Sequence, residues 1–160
     1  MSSTTDRRSK SSSKGIFLII ALIILGVLGF FVFTAKDEAE LDKKFTFACN
    51  AERVEFLNNQ GLIVEAEPEK EKILIPGEFD ASYNEYNSLQ QSQGFDLCQY
   101  AGKEAIKYTY KVLNYPDYPE NVYVNLLFDN NRLIGADITY NDAENGFTVA
   151  LLSEIIQTMI

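Results

Sequence analysis

Residues 105–140 read AIKYTYKVLNYPDYPENVYVNLLFDNNRLIGADITY, and the alternations inside this stretch decide the fold. Over residues 105–113, Ile106, Tyr108, Tyr110 and Val112 fall on one face and Lys107, Thr109 and Lys111 on the other, the period-two pattern of a half-buried strand. Residues 122–128 and 133–140 follow as two more strands, with Asp129-Asn130-Asn131-Arg132 between them as a tight turn. Placing Val122, Val124, Leu126 and Phe128 on one face with Ile134, Ala136, Ile138 and Tyr140 requires an odd loop. The expected loop is therefore Asp129, Asn130 and Asn131, with Asn131 in the left-handed region that asparagine tolerates.

Upstream of this meander, Asn50 caps a helix over residues 51–60 whose inner positions include Val54 and Leu57. Cys49 is placed to staple against Val54, and Gly61 supplies the left-handed stop. Residues 62–66 and 72–75 read as two short strands flanking the charged Glu67-Pro68-Glu69-Lys70 turn. Phe79, Tyr83, Tyr86 and Leu89 share one face of a second helix, closed by Gly94. The apolar C-terminal segment 147–160, whose one charge is Glu154, must pack on the domain, pair with the sheet or touch another surface; docking is the preferred reading. The expected fold class is α+β, an antiparallel meander whose apolar face packs against two helices, over residues 45–160.

The first 44 residues are of a different kind. Residues 16–33 are 18 consecutive positions without a polar side chain, and Gly15, Thr34 and Ala35 extend the run to 21. A helix of that length, at about 1.5 Å per residue, matches the hydrocarbon thickness of a bilayer. Fifteen of the 18 are Ile, Leu, Val or Phe, each favouring insertion by roughly 0.3–0.6 kcal/mol near the bilayer centre. A cleaved signal peptide has a shorter apolar region ending in small residues, whereas here Phe33 and Ala35 take the −3 and −1 positions and Lys36 follows at once. Residues 15–35 are thus expected to be an uncleaved transmembrane helix in contact with lipid. Gly26 and Gly29 are three apart, so the G-x-x-x-G pairing face is not present.

Arg7, Arg8, Lys10 and Lys14 precede the run on a short free tail and Lys36, Lys43 and Lys44 follow it, which places the N-terminus in the cytoplasm and the domain outside the plasma membrane. Residues 1–14, with nothing to bury, form a disordered basic tail, and residues 36–44 a charged stalk.

Charge and composition exclude several functions. The tail carries +3 and residues 36–160 hold 10 basic against 22 acidic groups, −12, which together give the net −9. An acidic domain lacks the counterion release that drives nucleic-acid binding. The chain has no histidine, so triads of the Ser-His-Asp kind and H-E-x-x-H are impossible, and two distant cysteines make no structural zinc site.

The residues Gly94-Phe95-Asp96-Leu97, Tyr100 with Gly102-Lys103, Tyr108-Thr109-Tyr110-Lys111-Val112, Asn114-Tyr115-Pro116, Asn125-Leu126-Leu127 and Leu133-Ile134-Gly135 with Asp137 carry a resemblance. Over about residues 53–147 the chain resembles a domain-of-unknown-function family of single-span membrane proteins from clostridia and related Firmicutes. The resemblance implies a bacterial cell-envelope setting and lends no activity, cofactor or ligand. The longer apolar tail after Phe147 departs from the family pattern.

Candidate chemistry is thin. Cys49 and Cys98 are a candidate disulfide, worth about 4 kcal/mol in the chain-entropy model, with two buried thiols as the alternative. Ser11-Ser12-Ser13-Lys14 matches S-x-x-K by chance, in a tail with no pocket. Asp129 to Asn131 and Asn141 to Gly146 offer oxygen ligands but fit turn chemistry better than a calcium loop. Paired carboxylates for glycoside hydrolysis are not singled out among the acids. Tyr115 and Tyr118, stiffened by Pro116 and Pro119, form a candidate recognition loop, against the alternative that both fold back on the sheet. The expectation is a non-enzymatic module binding an envelope protein, a peptide or a wall polymer. The alternatives are a structural or assembly component docking through its apolar tail, and a carboxylate-dependent hydrolase.

Overall fold

The computed structural model describes residues 45–118 and 120–152. The basic tail 1–14, the apolar run 15–35, the stalk 36–44 and residues 153–160 lie outside these described residues. Among the described residues no helix is long and apolar enough to cross a membrane. The elements are α1 (Asn50–Asn59), β1 (Glu69–Leu74), α2 (Ala81–Gln91), a 3-10 turn (Leu97–Tyr100), β2 (Glu104–Lys111), β3 (Val122–Asp129), β4 (Arg132–Tyr140) and β5 (Phe147–Ala150). They form one five-stranded sheet in the order β1-β2-β3-β4-β5, antiparallel throughout. The meander is therefore the one expected, widened by a strand at each side.

The β3–β4 hairpin corrects the expected three-residue loop. Val122 pairs with Tyr140, Val124 with Ile138 and Leu126 with Ala136, but Phe128 faces Leu133 and Asp129 faces Arg132. The loop is the two residues Asn130 and Asn131, and Asn130 takes the positive φ of 54°. The extra residue that parity demands is supplied inside the strand, where Ile134 bulges out of the ladder between Leu133 and Gly135. A two-residue turn matches strand twist better than an odd loop, so the chain moved the irregularity into β4. As a result Leu133 and Ile134 enter different apolar clusters.

The two short strands expected over 62–66 and 72–75 are also corrected. Both segments run in the same direction along one edge of β2: Val64 bridges to Val112, and Glu69 pairs with Thr109. Pro68, which has no N–H, interrupts the ladder between them, so Glu67-Pro68 is a break in one edge rather than a reversing turn.

The helices do not share a face, contrary to the expected packing. Phe56 and Leu57 of α1 join Phe47, Tyr110, Val124, Leu126 and Phe128 in the larger cluster. Tyr83 and Tyr86 of α2 pack with Ile75, Leu97, Ala105, Leu127 and Ile134 in the smaller one. Neighbours such as Leu126 and Leu127 point to opposite faces of a strand, so a helix covers each side. Each fully buried Leu or Phe contributes about 1.5–3 kcal/mol.

At the start of α1, Cys49 occupies the cap position without a side-chain cap. Asn50 instead donates to the Ala66 carbonyl at 2.7 Å and accepts from the Tyr110 hydroxyl at 2.7 Å. Cys49 is exposed, and Phe47, 5.0 Å from Phe56 between ring centroids, packs the helix start in its place. Gly61 is left-handed, φ 83°, as expected. Buried Arg53 donates from Nε to the Tyr110 hydroxyl at 3.0 Å and stacks its guanidinium 4.0 Å from the Tyr108 ring, a cation–π contact.

Residues 147–152 combine two of the readings: Phe147–Ala150 pairs with the sheet as a fifth strand beside β4, which docking alone did not anticipate, and Leu151, 1% exposed, packs into the larger cluster. At the opposite side, β1 presents Glu69-Lys70-Glu71-Lys72, tied to β2 by Lys72–Glu104 and Lys107–Glu71 contacts of 2.7 Å. Symmetric antiparallel pairing of this edge with a second copy puts Glu opposite Glu and Lys opposite Lys, because opposed residues must share a face. That alternation opposes edge-to-edge association.

Candidate ligand cleft

Thr109, Asn125, Asp137 and Thr139 occupy the positions alternate to Tyr110, Val124 and Ile138, and so project from the face that carries α2. The helix covers this face over Leu127 and Ile134. Beside that contact a cleft of about 680 Å³ opens, walled by Ser82, Glu85, Tyr86 and Leu89 of α2 and floored by Lys107, Asn125, Asp137, Thr139 and Thr148 of the sheet.

Asp137, only 3% exposed, is the hub of the floor. Its Oδ2 accepts the Tyr86 hydroxyl at 2.7 Å, and its Oδ1 accepts Asn125 Nδ2 at 2.8 Å and the Thr139 hydroxyl at 2.9 Å. Asn125 in turn accepts from Thr109 at 2.8 Å, and the Thr139 and Thr148 hydroxyls lie 3.3 Å apart. A polar row thus crosses four adjacent strands. Burial, with the Asp137 charge and hydrogen bond beside it, pushes the Tyr86 phenol far above its ordinary range, so it stays a donor.

Helix α2 is held at its height by glutamines. Asp80 caps it, accepting Tyr83 N–H at 2.8 Å. The expected aromatic face is realised in Phe79, Tyr83 and Tyr86, but Leu89 lines the cleft and the deepest positions are Asn87 and Gln90. Gln90 Oε1 accepts the Ala136 N–H at 2.9 Å, and Gln93 donates to the Ala136 carbonyl at 2.8 Å while accepting Leu152 N–H at 2.9 Å. These side chains bond β4 where β5 has ended, since β5 pairs only from Asp137 onward. Gly135 makes the approach possible: a Cβ there would stand 3.2 Å from Gln90 Oε1 and 3.5 Å from Leu97.

The residues singled out in sequence lie elsewhere. Tyr118 packs 4.5 Å from Tyr140 and 5.4 Å from Phe147, with Tyr115 6.1 Å from Phe147, and the three tyrosines are half-buried against the larger cluster. The cleft is on the other face. Cys49 and Cys98 are free and both exposed, so neither the bridge nor the pair of buried thiols is formed. They sit on elements that cover opposite faces of the sheet. The Cys98 thiol is pushed up by desolvation and by the Asp96 charge. In the 141–146 loop, Asp142 accepts Asn145 N–H at 2.8 Å and Glu144 N–H at 3.0 Å, which is turn chemistry. Among the described residues no cluster of three or more Cys, Asp or Glu is placed to hold a metal.

Asp137 has no chemical motif around it, but the strand register carries a signal. Once Val124 is set opposite Ile138, Asn125 must stand opposite Asp137 on the other face.

Residues 56–138, from within α1 to near the end of β4, match a family model described as a domain of unknown function, DUF4830. No curated protein and no solved structure matches the chain.

Proposed function

The chain belongs to the DUF4830 family, a domain of unknown function, and from that premise we propose that it is a non-enzymatic interaction module. In this reading residues 15–35 anchor it in a bacterial plasma membrane, the N-terminus stays in the cytoplasm, and the acidic domain outside binds an envelope protein, a peptide or a wall polymer. The cleft over Asp137 carries the reading, because it is a concavity of about 680 Å³ lined by hydrogen-bonding groups of five elements.

Its chemistry favours binding over turnover. Three donors converge on Asp137, leaving it little capacity to act as nucleophile or base, and Glu85 stands at the exposed rim. The alternative of assembly through the apolar tail loses support from residues 147–152, which are already committed to the sheet and the core.

Two measurements test the proposal. A membrane-impermeant maleimide applied to intact cells is expected to label the exposed Cys49 and Cys98; labelling that appears only after lysis overturns the topology. A photo-crosslinking side chain at Ser82, on the cleft wall, is expected to capture a discrete envelope component that one at Glu55, on α1 over the other face, does not. Identical capture at both positions, or none, counts against the cleft as the binding surface.

A further inference from the structure

The cleft has a charge imbalance. Asp137 and Glu85 line it, while its one cation, Lys107, is engaged with Glu71 at 2.7 Å. Among the described residues neither Asp137 nor Glu85 stands in an ion pair. All three donors to Asp137 are neutral, so its charge is hydrogen-bonded and not cancelled. A buried carboxylate in that condition projects its field into the space it lines, because low-dielectric walls focus it there. The rest of the domain adds to this potential, since residues 36–160 hold 22 acidic against 10 basic groups. Anionic ligands are repelled on both counts. The apolar part of the wall, Leu89 and the Tyr86 ring, suits an alkyl stem, and the hydroxyls of Ser82, Thr139 and Thr148 suit the polar backbone that such a stem hangs from.

We infer that the cleft receives a primary ammonium on an aliphatic stem, as in a lysine or other diamino-acid side chain, with Glu85 and Asp137 as its counter-charges. This rests on the binding-module reading and deepens it. A basic protein segment and the diamino acid of a wall peptide present the same chemistry. The stem lies along Leu89 and Tyr86, and the ammonium sits between the rim carboxylate and the floor.

The test uses the purified full chain in a neutral detergent at low salt, titrated calorimetrically with tri-lysine amide and with the same peptide acetylated at every Nε. Tri-lysine is expected to bind and the acetylated peptide not to. Glu85→Gln should weaken binding about threefold, as for a part-exposed ion pair. Asp137→Asn should weaken it about tenfold or more, as for a buried one, with near-UV circular dichroism reporting whether its fold persists. Glu55→Gln removes the same charge from α1, which covers the other face of the sheet, and should change nothing. Equal weakening by Glu85→Gln and Glu55→Gln overturns the inference, since attraction would then be diffuse; so does equal binding of the acetylated peptide. A neutral tetrasaccharide of N-acetylglucosamine that binds where tri-lysine does not overturns the ammonium and leaves the module reading standing. Failure of all three ligands, together with no capture from Ser82, removes both. With tri-lysine bound, a lysine-bearing protein segment and a wall muropeptide with a free side-chain amine, compared as competitors, distinguish the two sources.

Discussion

The two faces of the sheet are built by different rules. On the face covered by α1, Tyr110, Val122, Val124, Leu126 and Ile138 are fully buried and a ring of phenylalanines closes over them. On the other, β2 to β5 offer Thr109, Asn125, Asp137, Thr139 and Thr148, and α2 covers only the end over Leu127 and Ile134. The first face is held by area removed from water, and the second by a smaller apolar cluster together with hydrogen bonds that converge on Asp137 and Ala136. Loss of a group therefore leaves a cavity on one side and orphaned donors on the other.

That contrast can be broken by substitution. The largest effect is expected from Phe128→Ala or Leu126→Ala in the apolar cluster, a loss of about 2–5 kcal/mol in thermal unfolding of the full chain followed by near-UV circular dichroism. Asp137→Ala comes next, about 1–3 kcal/mol, because Tyr86, Asn125 and Thr139 lose their shared acceptor. A cost no larger than that of a surface change would mean that water replaces the carboxylate and that the floor is wet. Gly135→Ala should cost about 1 kcal/mol by forcing Gln90 off Ala136, and it should alter the protection of the Ala136 amide from hydrogen exchange. Thr148→Val, at the exposed end of the polar row, is expected to stay within about 0.5 kcal/mol, which makes it a clean probe of ligand binding.

The smallest effect concerns pH. Asp96 accepts from the Asn87 amide at 3.1 Å and from Cys98 N–H at 3.1 Å, and these bonds hold its carboxyl below the usual range. A lowered folded-state value gives stability that is present above the unfolded carboxyl range and lost as pH falls through the folded one. Asp96→Asn should accordingly lower stability slightly at neutral pH and leave it unchanged in acid, so that the acid limb flattens.

Much of the first face was legible. The even-numbered positions of β2 and β3, and Ala136, Ile138 and Tyr140 of β4, form a run that a period of two exposes directly, and the pairing of Val124 with Ile138 follows from it. The second face was less so, and for an identifiable reason. Its polar residues are the ones a half-buried strand normally shows to water, so alternation alone describes Asp137 as solvent-facing. What buries Asp137 is α2, and the height of α2 depends on Gln90 and Gln93 reaching Ala136 across 46 and 43 residues of chain. Glutamines on a helix give no such warning. The aromatic spacing located the helix but not its deepest positions, because Asn87 and Gln90 are buried through hydrogen bonds and not through apolar area.

Local chemistry by itself determined β2, β3 and β4, the left-handed stops at Gly61 and Gly94, the acidic character of the domain and the apolar stretch 16–33, since each depends on neighbours within a few residues. Only the tertiary structure decided that Ile134 bulges, that the helices take opposite faces and that a carboxylate becomes the floor of a cleft. Those outcomes depend on which surfaces meet across long separations, and a side chain's environment is set by what covers it.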